Sequence, residues 1–399
     1  MWVRKRIDIG WGGIGYGLLR CLFPGKAVEH ERSIASQLPR PEEAVICFSV
    51  RSGFDLLLTA LKFPAGSEIL LSAMTLGHMA DIVRAHGLVP VPVDLDPDTM
   101  APDMDALERS ISSESRMLVV AHLFGGRCRM DGLVEICRRR NILLVEDMAQ
   151  AFGSGRRWGK GQSDVAMFSF GTIKTATAVG GAVLRMKDAE LANKMRVAQA
   201  GYPLQRLSAF AIKLGRIAGL KFLGYQIPYG LFRRFCGVLC IDADLVLSRG
   251  TRAFPGADLI VMIRRRPHPA LIALLSHRLS QFDSRYLRRR TMIGRLLRDE
   301  LSGIVDMPGK NALAQTHWVF PLCLENSGEV IRKLVTEGFD ATARQSMEVI
   351  EAPFGRGQID PLRAPVIYQR MVYLPAYPEM GETEILRMAR ILLDHIAKH

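Results

Sequence analysis

Apolar and polar positions along this chain alternate between two rhythms from about residue 41 onward. "EAVICFSV" and "EILLSA" are short, nearly continuous apolar runs. Each is followed by a segment whose apolar residues recur three and four apart, "GFDLLLTALKF" after the first and "HMADIVRAHG" after the second. The first rhythm reads as a buried strand, the second as an amphipathic helix. The cycle continues through "VPVPVDL", whose prolines place it at a sheet edge, then "RMLVVAHLFG", the helix "MDGLVEICRRRN", the strand "ILLVED" and the strand "VAMFSF". Strands alternating with helices predict βαβ crossovers and an α/β fold with a mostly parallel central sheet flanked by helices. Ligands of such sheets bind beyond the carboxyl ends of the strands.

The C-terminal third changes texture. "PHPALIALLSHRLSQFDSRYLRRRTMIGRLLRDEL" reads as one long helix with an apolar face. After it, "HWVFPLCLE", "GEVIRKLVTEG", "MVYLPAY" and "GETEILRMARILLDHIAKH" make a small C-terminal α+β domain. The expected organisation is an N-terminal arm over 1–40, a large α/β domain over 41–200, a basic apolar insertion over 201–250, a linking helix over 251–290 and a small domain over 291–399.

Charge adds one constraint. With 53 Lys and Arg against 40 Asp and Glu, the formal net charge of +13 favours an anionic partner. No zinc-finger spacing, RNA-binding signature or basic tail accompanies it, so nucleic acid is not expected. The basic excess is concentrated between Leu191 and Ile241, a stretch with eight Lys or Arg and no acidic residue, interleaved with Phe210, Leu214, Ile217, Phe222 and Phe235. That mixture suits either helices lying on an anionic membrane surface or a hairpin packed on its own protein with extended basic stems. Seven scattered cysteines without a CxxC indicate neither a metal site nor a disulfide framework, and point to a reducing cytoplasm. The N-terminal "MWVRKRIDIGWGGIGYGLLRCLF" has the form of neither a signal peptide nor a membrane span. Its GxGxxG lacks a strong preceding strand and a following acid, so a flexible arm is the better reading than a dinucleotide site. The expected location is cytoplasmic, with peripheral contact at the inner membrane face.

Two features carry candidate chemistry. "ILLVED" ends in Glu146 and Asp147, where a ligand of the sheet would lie, although a strand leaving into solvent would end the same way. In "DVAMFSFGTIKTATAVGG", Lys174 is the only charge between Asp164 and Arg185. A lysine kept from water and from other charges loses its proton readily and becomes a nucleophile toward an aldehyde. A carboxylate such as Asp147 beside a pyridine nitrogen would keep that nitrogen protonated, and Ser169 and Ser52, the latter at a helix start, would cradle a phosphate.

The motifs "VEDMAQAFGS", "SDVAMFSF", the lysine and "GGAVLRMKD", together with "GSEILLSAMT", "GLVPVPVDLDPDTM" and "VVAHLFG", resemble the sugar aminotransferases of the DegT, DnrJ and StrS group. The similarity runs from about Glu43 to Gln199. It implies the fold type I architecture of pyridoxal 5'-phosphate enzymes and a homodimer. Lys174 falls on the family's Schiff-base lysine, Asp147 on its pyridine-nitrogen partner, Gln150 on the glutamine beside the cofactor and Ser169 on the phosphate-binding serine. Ser52 sits in the first βα turn, and Arg51 replaces a threonine there, adding a charge to the phosphate grip. Leu76 stands where the family stacks an aromatic, which leaves His78 to stack instead or to serve as a cap or core residue. The family's asparagine before the linking helix has no counterpart; Arg264, Arg265 or Arg266 stands near its place. The implied activity is transfer of an amino group from an amino acid, glutamate in the family, to a keto-sugar-like acceptor, which the basic segment suggests is lipid-linked. A cofactor-binding regulator without catalysis, or a lyase on the same fold, would share these residues.

Overall fold

In the computed structural model the described residues are all except 5, 154–156, 160, 240, 242–245, 247–257, 344–345 and 398–399. Seven strands form the central sheet: β1 (Ala44–Cys47), β2 (Glu68–Ser72), β3 (Val89–Val93), β4 (Ser115–Ala121), β5 (Leu143–Asp147), β6 (Val165–Ser169) and β7 (Ala182–Met186). Their spatial order is β1-β7-β6-β5-β4-β2-β3. Neighbours from β3 to β6 pair in parallel, while β7 runs antiparallel to both β6 and β1. Val91, Leu70, Leu118, Val145 and Met167 are fully or almost fully buried, as strands covered by helices on both faces must be. The proline-bearing β3 lies at the edge, where its missing N–H groups cost no ladder bond.

The expected linking helix is two helices, Pro269–Ser280 and Ser284–Leu301. The break is chemical: Asp283 caps the second helix, its carboxylate accepting the Arg285 N–H at 2.8 Å. The beginning of the 251–290 stretch, like the end of the 201–250 insertion, lies outside the described residues. Beyond the linker, Phe320–Cys323 pairs antiparallel with Met371–Leu374, and the helix Gly381–Ile396 packs on Ser284–Leu301 over Leu297, Leu322, Leu374 and Leu392.

The first 40 residues are not a loose arm. Trp2 bridges to Phe339, Ile9 and Ile14 are buried, and the helix Trp11–Leu22 packs against Leu207–Leu223 and Pro269–Ser280. Gly17 makes this close approach feasible, since a Cβ there would lie 3.1 Å from both Leu214 and Leu274. Gly12 and Gly15 of the formal GxGxxG face open space on that helix. The basic segment is a pair of helices, Leu207–Leu223 and Gln226–Val238. Phe210, Leu214 and Ile217 pack inward on the protein, whereas Ile212, Phe222, Ile227, Leu231, Phe235 and Val238 remain exposed.

Candidate active site

The carboxyl ends of β1, β5 and β6 open on one edge of the sheet, and the sequence-selected groups are found there. Asp147 ends β5 and is 8% exposed. One carboxylate oxygen accepts the Ala149 N–H at 2.9 Å. Burial raises its pKa, against the opposing pull of that N–H and of the positive charges on Lys174, His122 and Arg51.

Lys174 lies in the loop between β6 and β7. Desolvation lowers its pKa to about 8; the Asp147 charge draws it up and Arg51 pushes it down again. Its Nζ stands 4.2 Å from the centre of the Trp318 ring, and it enters no ion pair among the described residues. Thus at neutral pH roughly a tenth of this amine is unprotonated, far more than of an ordinary lysine. The loop that presents it is strained: Ala176 and Val179 have φ of 54° and 66°, the left-handed region that branched residues avoid. Three groups hold it so. Asp8 accepts the Ala176 N–H at 2.6 Å, the buried Arg290 donates to Thr175 Oγ1 at 3.3 Å, and Trp318 Nε1 donates to the Ile173 carbonyl at 3.0 Å.

Ser169 ends β6, and its Oγ and the Lys174 Cγ both come within 4 Å of the point where a Cβ on Gly171 would sit, at 3.7 and 3.9 Å. The helix Val50–Leu61 starts beside them and packs on β6. Ser49 caps it by accepting the Ser52 N–H at 3.1 Å, and the two hydroxyls are 2.9 Å apart. Arg51, in the same first turn, has its pKa lowered by desolvation and raised in part by Asp147. Gln150 is oriented by the backbone, its Oε1 accepting the Phe124 N–H at 3.0 Å.

His78 lies in the first turn of the helix Gly77–Ala85, half-buried. Burial and the Arg51 charge lower its pKa, so it is near the cup and neutral at physiological pH. Arg264 is not available to the site. It forms a bidentate pair with the buried Asp55, at 3.0 Å for each of its two closest contacts, alongside His86. Arg266 is bound to the Tyr202 carbonyl at 2.9 Å.

Sequence reasoning missed the far wall. A cavity of about 30 Å³ beside Lys174 is lined by Arg6, Asp8, Thr175, Tyr286, Arg290 and Trp318, among others. Asp8 and Arg6 come from the N-terminal segment and Trp318 from the C-terminal one, so no local motif marked them. A weak signal existed for Arg290 alone, a basic residue in register with Leu287 and Ile293 on a helix face otherwise apolar.

These residues fit pyridoxal phosphate. An amine with a lowered pKa stands near a buried carboxylate, and the charge of Arg51, in the first turn of a capped helix, acts on both. Lys174, Asp147, Gln150, Ser169 and Ser52 would hold the cofactor, with Arg51 at its phosphate.

Residues 25–213 match the profile of the DegT/DnrJ/EryC1/StrS aminotransferase family. GDP-perosamine synthase of Caulobacter vibrioides is 34% identical over 172 residues, 43% of this chain and 46% of that protein, so the match spans about half the length of the curated relative. Among solved structures, the aminotransferase TlmJ from Streptoalloteichus hindustanus superposes with a TM-score of 0.72 at 19% identity, covering 100% of this chain and 99% of its own. PseC of Helicobacter pylori, an aminotransferase involved in the biosynthesis of pseudoaminic acid, gives 0.71 at 14% identity with full coverage of both chains. The fold of the whole chain is therefore that of these solved structures, and residues 25–213 are similar to the DegT/DnrJ/EryC1/StrS aminotransferase family.

Proposed function

We propose that the protein is a pyridoxal-phosphate-dependent aminotransferase that passes an amino group from an amino acid, glutamate foremost, to a keto-sugar. The observation that carries this reading is the pairing of Lys174, its pKa lowered to about 8, with the buried Asp147 at one sheet edge. When bound, the cofactor supplies an aldehyde that takes up an amine and a ring that accepts the electron pair left on carbon. Asp147 would hold a proton at the ring nitrogen. Lys174 Nζ would hold the cofactor covalently and, when free, act as the base that moves the proton at the donor carbon. Trp318 and Arg290 keep that amine and its loop in place.

The test is covalent. Borohydride treatment of cofactor-saturated protein should fix the cofactor's mass on the peptide containing Lys174, and glutamate added beforehand should prevent it by releasing the lysine. Absence of any fixed mass would sink the reading. Fixation that glutamate does not prevent would instead favour a cofactor-binding regulator, and repeated turnover with release of free ammonia in the absence of an acceptor would favour a lyase.

The sugar acceptor is supported by the likeness to a GDP-perosamine synthase. Attachment of that sugar to a lipid is supported by the exposed Ile212, Phe222, Ile227, Leu231, Phe235 and Val238, with Arg216 and Arg234 among them. No helix among the described residues is long and apolar enough to cross a membrane, so contact would be peripheral. Flotation with anionic liposomes at low salt tests it, with Arg216→Ala/Arg234→Ala as the weakened variant. A homodimer fits the family reading and is checked by light scattering.

A further inference from the structure

Lys213 stands apart from the basic residues around it. The buried Phe210, Leu214 and Ile217 fix the orientation of the helix Leu207–Leu223, and Lys213 is turned inward with them rather than toward the exposed face that Arg216 shares. Its Nζ lies 4.0 Å from where a Cβ on Gly180 would be. The next residue, Gly181, donates its N–H to the Phe48 carbonyl at 2.9 Å, and Phe48 directly precedes the cap Ser49. The amine therefore stands at the mouth of the helix that carries Arg51 and Ser52.

No described residue gives Lys213 a hydrogen bond or an ion pair. Burial and the Arg51 charge lower its pKa to about 8. The Arg51 charge acts on the Lys213 amine, and both belong to the surroundings of that helix start. A phosphate dianion would give the Lys213 amine the charge-assisted hydrogen bonds it lacks among the described residues, with the helix dipole in support.

We propose that Lys213, supplied by the chain's own inserted helix, grips the phosphate of the bound cofactor together with Arg51 and Ser52. This rests on the pyridoxal phosphate reading above and adds a phosphate ligand to it. The insertion then has two faces, one turned outward and one completing the cofactor cup.

Dissociation constants for pyridoxal phosphate and for pyridoxal, measured by equilibrium dialysis, test the assignment. Lys213→Met should weaken pyridoxal phosphate by at least about tenfold, leave pyridoxal unchanged, and be restored largely by Lys213→Arg. An unchanged constant for pyridoxal phosphate, or equal losses for the two compounds, would overturn it. A measurement on the native chain guards against misfolding of the variants: acetylation of Lys213, followed by mass spectrometry, should be suppressed by pyridoxal phosphate or inorganic phosphate and not by pyridoxal. If the native chain takes up no pyridoxal phosphate, the aminotransferase reading fails. The anion grip is then decided by inorganic phosphate alone, supported if phosphate protects Lys213 and refuted if it does not.

Discussion

Glu146 and Asp147 are neighbours on β5, their side chains point to opposite faces of the sheet, and the two faces treat a carboxylate in opposite ways. Glu146 accepts from His122 Nε2 at 3.1 Å and from Ser163 Oγ at 2.6 Å, with Arg127 at 3.5 Å. The Cys128 N–H occupies His122 Nδ1 at 3.0 Å, which leaves Nε2 as the donor. Burial would raise the Glu146 pKa, but His122, Ser163 and Arg127 hold it down at about 2. Asp147 has a single short N–H donor, from Ala149, and its pKa is raised. One face answers its carboxylate with His122, Ser163 and Arg127 and contributes stability; the other holds a raised acid, a deprotonating lysine and left-handed backbone in readiness for a ligand.

Exchanging the acids one at a time should separate these roles. Asp147→Asn should reduce the rate of the glutamate half-reaction about 10²–10³-fold, while the melting temperature of the cofactor-free protein stays level or rises, because a poorly satisfied buried charge is gone. A matching loss of stability would remove the contrast. Glu146→Ala should do the reverse: about 3 kcal/mol of unfolding free energy lost in urea, by leaving His122 and Arg127 without their acceptor, and covalent labelling of Lys174 retained wherever the variant is folded. Acid unfolding checks the same face. Because the folded-state pKa of Glu146 lies below its unfolded value of 4.5, its contribution is complete above pH 4.5 and disappears as pH falls toward 2. The native protein should therefore lose stability across that window, and Glu146→Ala should lose less of what remains.

The stable face and the ready face were unequally legible in the sequence. The strand runs around "ILLVED" and "VAMFSF" placed both acids and Lys174 at one sheet edge because hydrophobic periodicity is local. Charge isolation singled out Lys174 along the chain, although the charged groups around it in space, Asp147, Arg51, Asp8 and Arg290, come from distant positions. The strand β7 escaped, since "AVLRM" follows two glycines in what reads as loop, and only pairing with β1 and β6 reveals it as antiparallel. The groups that restrain Lys174 escaped too. Asp8 and Ala176 are 168 positions apart, and Arg290 and Thr175 are separated by 115. Such contacts come from tertiary packing and leave no spacing to read. The continuous linking helix failed on capping: the pattern of apolar residues carries across Gln281–Asp283, but Asp283 starts a new helix there.

Readiness on the Asp147 face also has a pH signature, of smaller size. Only the unprotonated Lys174 amine can take up the cofactor, so the initial rate of cofactor binding by the cofactor-free protein should rise about fivefold between pH 7 and 8 and flatten above. A profile that is flat from pH 6 to 9 would mean that this amine is already neutral, and that burial outweighs the Asp147 charge by more than the structure indicates.

The backbone supplies the smallest and most discriminating change. Ala176 is buried at φ 54°, a conformation that a Cβ disfavours, and is held there by the bond from its N–H to Asp8. Ala176→Gly removes the Cβ strain and keeps the N–H. It should raise the stability of the cofactor-free protein by about 0.5–1 kcal/mol, measured as an increase in melting temperature. It should also slow the half-reaction modestly, because a glycine lets the Lys174 loop leave its strained conformation. The corresponding relief has no target on the Glu146 side, where Val145 and Leu144 lie in regular strand. If Ala176→Gly instead destabilises the protein, the left-handed turn is fixed by packing around the methyl group, and strain is not what sets the two faces apart.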